Sequence, residues 1–319
     1  DVTDTTIVAQ FTAVQKSLPA YLQNQGSILF LAWTTTPWTL PSNTALTVGS
    51  KIEYVLVKTY NQYTYKAASV VLAKALVSKQ FSGKFKQVDS DDELKSYSPS
   101  DKSIPFFIVN SFLGKDLLGI SYEQLLDYAL PNDNPENAFR IISGDFVTTE
   151  DGTGLVHQSP AFGADHLAVC RSYGLPVVNP IAPDGHFLAD VPVVGGVFFK
   201  DADKALVKEL KASGALYKHQ QYEHTYPHCW RCHTALMYYA QPSWYIRTTS
   251  IKNALLRENA ATDWHPETIK EGRYGDWLNN NIDWALSRNR YWGTPLPIWR
   301  CENKHEICVD SLKELGTLA

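Results

Sequence analysis

Disulfide chemistry is nearly absent from this sequence. It holds only five cysteines in 319 residues, Cys170, Cys229, Cys232, Cys301 and Cys308. An odd, sparse set with a single C-x-x-C does not make a disulfide framework. It fits a reducing compartment, the cytoplasm, and leaves metal as the use for paired thiols. No apolar run reaches the ~18–20 residues of a membrane span. There is no signal peptide, no internal repeat and no low-complexity tract. Positive charge is not in excess: 29 Lys and Arg face 33 Asp and Glu, a net charge of −4. That removes a global basic signal for nucleic acid, although a local basic patch is sufficient for such a partner. What is present is an ordinary globular composition, 44% hydrophobic and 19% charged, on a chain long enough for two or three domains. The first residue is Asp1 rather than Met, so the chain is expected to be a piece of a longer protein.

Residues 1–80 read as strands. "TIVAQFTAV", "SILFLAW", "TALTV", "EYVLVKTY" and "QYTYKA" are β-branched or aromatic and alternate. "AASVVLAKALVSK" reads as a helix. Residues 82–103 are a polar connector or a small surface element, and "IPFFIV" is a buried strand. "AFRIISG" and "TGLVHQSP" read as strands paired around a turn at Asp151-Gly152. "ADHLAVCRSYG" is a helix closed by Gly174, and "DADKALVKELKASG" a helix with Asp at its start and Gly214 at its end. "ALYKHQQYEHTY" is again a strand. The pattern predicts a mostly antiparallel, β-rich α+β domain out to about Tyr226. Beyond it, Trp230, Trp244, Trp264, Trp277, Trp284, Trp292 and Trp299 crowd into 70 residues, beside "SRNRYWGTPLP". Such density is either a packed core or a surface covered by another body.

Two stretches carry chemistry. In "AWTTTPWTLPSNTAL", Thr34, Thr35, Thr36 and Thr39 supply neutral hydroxyls that donate and accept at any pH. Pro37 and Pro41 fix φ on either side, and no carboxylate or thiol is present. This is a rigid polar wall suited to an ester or a ribose, or simply a threonine-rich sheet edge. In "GTGLVHQSPAFGADH", Gly152, Gly154 and Gly163 permit close backbone approach, and His157 sits on a strand. Asp165 and His166 fall at a helix start, where an acid is electrostatically favoured.

Together with "HTYPHCWRCHTALMYYAQPSWYIR" and "EGRYGDWLNNNIDWALSRNRYWGTPLPIW", these stretches resemble the editing region of the class I isoleucyl-tRNA synthetases, the connective insertion that hydrolyses misacylated tRNA. The resemblance spans essentially the whole chain. The related valyl and leucyl enzymes carry an arginine where Thr36 stands, which favours the isoleucyl branch. The resemblance implies a barrel-like editing domain with peripheral helices over 1–222. It implies a mixed, Trp-rich connective segment over 223–319 that returns to a catalytic domain outside this chain. The HIGH and KMSKS adenylation signatures are absent, so ATP belongs to that other domain. The implied partners are the acceptor end of tRNA(Ile) and the rest of the synthetase, with no membrane. By the same resemblance, Thr34, Thr35, Thr36 and Thr39 hold the aminoacyl ester and terminal ribose and position the attacking water. Trp38 and Asn43 shape the adenosine side, Tyr226 contributes to substrate binding, and His157 limits side-chain size. No cofactor is required for editing.

One departure stands out. The family carries an acid nine residues after the pocket histidine, where it binds the substrate's α-ammonium. Here that place is His166, with Asp165 one residue earlier. Either Asp165 substitutes after a local shift, or His166 weakens ammonium binding. The alternatives are thus an editing-impaired, tRNA-contacting connector, or a valyl- or leucyl-type editing domain, against which Thr36 argues. For metal, Cys229 and Cys232, flanked by His228 and His233, form half of a zinc knuckle, since structural zinc takes four ligands. Family resemblance puts the other pair before this chain begins, so zinc is an expectation for the full-length protein. Cys301, His305 and Cys308 offer a second, weaker partial set.

Overall fold

The computed structural model describes residues 2–288, 293 and 295–319. The chain divides into two compact units, Asp1–Ala240 and Gln241–Ala319.

In the first unit, β1 (Val2–Thr12), β2 (Ile28–Thr34), β4 (Glu53–Tyr60), β5 (Ala67–Ala73), β6 (Phe85–Gln87), β7 (Ile104–Leu113) and β10 (Leu216–His224) form one sheet. Its order is β10-β1-β2-β5-β4-β7-β6, mostly antiparallel, with β2–β5 and β6–β7 parallel. β3 (Ala45–Val48), β8 (Arg140–Ser143) and β9 (Leu155–Gln158) form a smaller sheet in the order β8-β3-β9. The α+β expectation holds. A barrel does not: the larger sheet ends at β10 and β6, and no pairing closes it among the described residues.

Both faces of the large sheet are covered. Ile7, Ala9, Phe11, Phe30, Leu56, Val71 and Ala73 pack into one core with Leu46 and Leu155 of the small sheet and Leu206 and Leu210 of a helix. The alternate positions Val8, Leu31, Val55, Val57, Val70 and Leu72 fill a second core with Phe81, Phe106 and Tyr217. Strands buried on both faces read as unbroken apolar runs. That is why "AASVVLA" resembles a helix in sequence yet is the central strand β5, followed by a 3-10 turn (Lys74–Leu76) and the short helix α1 (Val77–Gln80). Leu46 is fully buried between the sheets, and its truncation to Ala costs about 2–5 kcal/mol.

A second correction concerns the glycine-rich region. β8 and β9 do not pair with each other; each pairs with β3, in parallel and antiparallel register respectively. The polar connector holds β6 and α2 (Asp91–Leu94). α3 (Ala164–Ser172) and α4 (Asp203–Ser213) form as expected, and α4 ends at Gly214 with φ +80. After β10 the chain makes a turn in which Cys229 N–H donates to Thr234 O and His233 N–H to Cys229 O. Met237 and Tyr239 then pack against the first core.

The second unit holds β11 (Tyr245–Ile246), α5 (Lys252–Ala261), α6 (Thr268–Glu271), α7 (Arg273–Asn279), β12 (Trp284–Ala285), β13 (Ile298–Arg300), β14 (Glu306–Cys308) and α8 (Leu312–Leu318). β11 pairs with β12 and β13 with β14. Asp283 ties the loop before α5 by accepting from Thr249 N–H at 3.0 Å and Thr249 Oγ1 at 2.7 Å. The tryptophans are not a packed core here: Trp277 is 62% and Trp284 57% exposed. Trp292 and most of "NRYWGT" lie outside the described residues. No helix among the described residues is long and apolar enough to cross a membrane.

Candidate active site

β2 delivers Thr34 to the edge of a tight turn, Pro37–Ser42. Thr36 N–H donates to Thr34 Oγ1 at 3.1 Å, and the two hydroxyls lie 3.3 Å apart. Pro37 opens the turn with its fixed φ and no N–H to satisfy. Thr39 N–H and Thr39 Oγ1 both donate to Thr36 O, at 3.0 and 2.8 Å. Thr36 Oγ1 is 3.4 Å from Thr39 Oγ1, so Thr34, Thr36 and Thr39 form one line of hydroxyls. Thr35 and Thr36 are part-exposed, whereas Thr34 and Thr39 are buried.

β9 brings His157 against this line. Its entry is fixed by Gly154, at φ +76, where a Cβ would lie 2.3 Å from Ala73 Cβ. Tyr54 OH donates to Gly154 O at 2.6 Å and locks the same turn. His157 is 4% exposed and its Nε2 lies 2.9 Å from Thr39 Oγ1. Its Nδ1 lies 3.4 Å from Asn43 Nδ2. Asn43 also donates to Ala45 O, and its Oδ1 accepts from Tyr122 OH at 2.6 Å, which fixes the carboxamide's orientation. The network therefore assigns Nδ1 as acceptor and Nε2–H as donor to Thr39. Burial, with His166 nearby, pushes the His157 pKa down to about 3. A buried imidazole this resistant to protonation is a weak base near neutrality; it contributes shape and a hydrogen bond.

At the start of α3 the two candidate ammonium ligands part. Asp165 is exposed, while His166 turns inward. His166 Nδ1 lies 3.4 Å from Ser159 N–H, and its ring stacks on Phe146 at 6.3 Å. Burial lowers its pKa, opposed by Asp165. Adjacent helix positions point about 100° apart, which accounts for the divergence.

The structure thus gathers Thr34, Thr36, Thr39, Asn43 and His157, with His166 beside them. Two predicted residues take other roles than expected. The Trp38 indole is 3% exposed, packed edge-on by Phe162 and Phe199 at 5.0 and 4.7 Å, so it is core rather than a nucleoside wall. Asn43 is buried and its amide is spent on His157, Tyr122 and Ala45, so it orients the histidine instead of facing an adenosine. Tyr226 is half-buried under Lys200 Nζ, 4.1 Å from the ring centroid, and burial raises its hydroxyl to about 12. Sequence reasoning missed Tyr122, which no local signal marks. It also read Asp203 only as a helix start, though its Oδ1 accepts from Trp38 N–H at 2.8 Å.

The thiols do not complete a metal site by themselves. Cys229 and Cys232 share one turn, where hydrogen bonds from Thr234 and Cys229 bring Cys232 down to about 7. Among the described residues no group of three or more His, Cys, Asp or Glu side chains could hold a metal ion. Cys301, His305 and Cys308, on the β13–β14 hairpin, likewise do not form such a group.

Residues 3–318 match the tRNA synthetases class I (I, L, M and V). The chain belongs to this family. Among class I synthetases it is similar to the isoleucine–tRNA ligase of Streptomyces coelicolor, 53% identical over 92% of this chain and 25% of that protein. The isoleucine–tRNA ligase of Thermobifida fusca is 48% identical over 100% of this chain and 27% of its own length. The chain therefore spans about a quarter of the length of these synthetases. A solved P. falciparum cytosolic leucyl-tRNA synthetase editing domain superposes on 69% of this chain, and 100% of its own, with TM-score 0.49 at 9% identity.

Proposed function

We propose that this chain is the editing region of an isoleucine–tRNA ligase, and that residues 1–222 hydrolyse valine wrongly esterified to tRNA(Ile). The observation that carries the reading is the line of hydroxyls from Thr34 to Thr39 closed by a neutral His157. Similarity to isoleucine–tRNA ligases supports the amino-acid assignment. An aminoacyl ester is already activated, so a positioned water and stabilisation of the oxyanion suffice without a covalent nucleophile. Water oxygen bonds to the ester carbonyl carbon, and the carbonyl electrons move onto oxygen. Collapse breaks the bond to the ribose oxygen, which takes the water's proton, and free valine leaves. The part-exposed hydroxyls of Thr35 and Thr36 orient the water and donate to the oxyanion.

His157 sets the size limit. Isoleucine differs from valine by one methylene, worth only ~1–3 kcal/mol in a hydrophobic pocket, a limit for which isoleucine–valine discrimination by this family is the standard illustration. A second site that admits valine and excludes isoleucine supplies the rest. The acceptor end of tRNA(Ile) brings the ester. Residues 223–319, with their exposed aromatics, face the rest of the synthetase, where ATP is used and where any zinc ligands beyond Cys229 and Cys232 reside.

A second reading has its own observation: His166, not Asp165, faces inward. A neutral imidazole accepts from an ammonium more weakly than a carboxylate does. On that reading the region contacts tRNA but edits poorly. The test is release of valine from Val-tRNA(Ile) by the native chain, His166→Asp and Asp165→Ala. A charge-assisted hydrogen bond worth ~1.5–3 kcal/mol predicts a ten- to hundredfold gain for His166→Asp. No gain there, with loss in Asp165→Ala, would make Asp165 the ammonium ligand instead.

A further inference from the structure

We infer that Asp203 is a positioning residue for the threonine turn: by holding the backbone of Trp38, it fixes where Thr39 meets His157. The inference rests on the reading of that turn as the hydrolytic site.

The turn cannot hold its own start. Pro37 has no N–H, so Trp38 supplies its first free donor, and the preceding residue, Thr36, makes no side-chain capping bond. The missing acceptor comes from 165 residues away, where Asp203 Oδ1 receives Trp38 N–H at 2.8 Å. Thr39, the next residue, bonds Thr36 O through both N–H and Oγ1 and meets His157 Nε2 at 2.9 Å. One short covalent step thus links the carboxylate to the hydroxyl that His157 contacts.

Asp203 is 8% exposed and makes no ion pair within 4.0 Å among the described residues. The charges around it are directed elsewhere. Lys200 Nζ, beside the start of α4, lies 2.5 Å from Asp4 Oδ2, and His224 Nε2 at the end of β10 lies 3.0 Å from the same oxygen. Tyr226 lies under Lys200. The Pro37–Ser42 turn adds no titratable group. Burial raises Asp203 to about 7, against smaller opposing effects of Trp38 N–H and Lys200. An asparagine would accept the same hydrogen bond without that penalty. Above about pH 7, where Asp203 is ionised, the bond to Trp38 is a charge-assisted one, shorter and stronger than a neutral bond.

The test uses the full chain labelled with 15N-tryptophan and 15N-histidine, the Trp38 amide being assigned by its loss in Trp38→Phe. The Trp38 amide proton is expected to move upfield as pH falls through about 7, with the His157 ring signals moving in step. Asp203→Asn should abolish both movements, and His224→Gln should leave them. In deacylation of Val-tRNA(Ile), Asp203→Ala should lower kcat about tenfold with KM little changed, the loss expected for one weakened charge-assisted contact. Asp203→Asn, which keeps an acceptor, should recover most of that loss at pH 8. A Trp38 amide signal left unchanged in Asp203→Ala would overturn the inference. So would His157 signals unaltered in Asp203→Asn. If the native chain releases no valine, the editing reading fails, and the spectra still decide the role of Asp203.

Discussion

The two compact units treat polar and aromatic residues in opposite ways. In Asp1–Ala240, Thr34, Thr39, Asn43, His157, Gln158 and Asp203 are all buried. Each must find a partner inside, and the chain Tyr122–Asn43–His157–Thr39–Thr36 is the result. In Gln241–Ala319 little besides Leu278, Val309 and Asn259 is buried, while large aromatics stand in solvent. A satisfied buried network makes a site that is set before substrate arrives. Exposed aromatic surface marks where contact is still to be made. On the proposed function, the contrast separates the part that would perform chemistry from the part that would dock.

The sharpest way to break this contrast is His157→Ala. It removes the steric stop, so cognate Ile-tRNA(Ile) should become a substrate, read as isoleucine release against time. It should also lower stability by about 2–3 kcal/mol in urea unfolding, because Thr39 and Asn43 lose a buried partner. If the cognate ester stays intact while the valyl ester is cleared, His157 is not the stop.

Acidification tests the first unit more finely. His157 has a folded pKa of about 3, below its ordinary value of 6.5, so the unfolded chain binds its proton first. Its contribution is fully present above pH 6.5 and is lost as pH falls towards 3. Asp203 runs the other way. Its folded pKa of about 7 lies above the ordinary 3.8, so its burial penalty is full above pH 7 and relieved as pH falls to 4. Each shift is worth at most about 4–5 kcal/mol. Asp203→Asn should therefore be more stable than the native chain at pH 8, and should lose stability more steeply between pH 7 and 4. Parallel curves for the two proteins would remove the burial argument.

How far the sequence could lead depended on where each residue's partners lay. The hydroxyl wall, His157 and the start and end of α4 are written in short contiguous stretches, and their chemistry is local. The helix reading of "AASVVLA" failed because β5 is buried on both faces, which erases alternation. The pairing of β8 with β9 failed because β3, about 95 residues before, lies between them. Trp38 and Asn43 carry the residue types of a binding wall, but burial turned one into core and the other into a brace for His157. Asp203 and Tyr122 act across 165 and 79 residues, a separation that no local pattern reports.

The smallest effect is expected in the second unit. Trp277→Ser and Trp284→Ser, both at exposed positions, should each change the stability of this chain by no more than about 0.5 kcal/mol. Calorimetric loss well beyond that would mean the aromatics form a core after all.

The most direct measurement is single-turnover deacylation of Val-tRNA(Ile) and Ile-tRNA(Ile), side by side, by the native chain and by Thr35→Ala/Thr36→Ala. The native chain should release valine faster than the spontaneous rate and leave the isoleucyl ester intact. The double variant, folded as judged by its unfolding curve, should lose at least about a hundredfold in valine release, as for removal of an oxyanion donor. Equal valine release by both proteins would contradict the assignment and place hydrolysis away from the threonine turn.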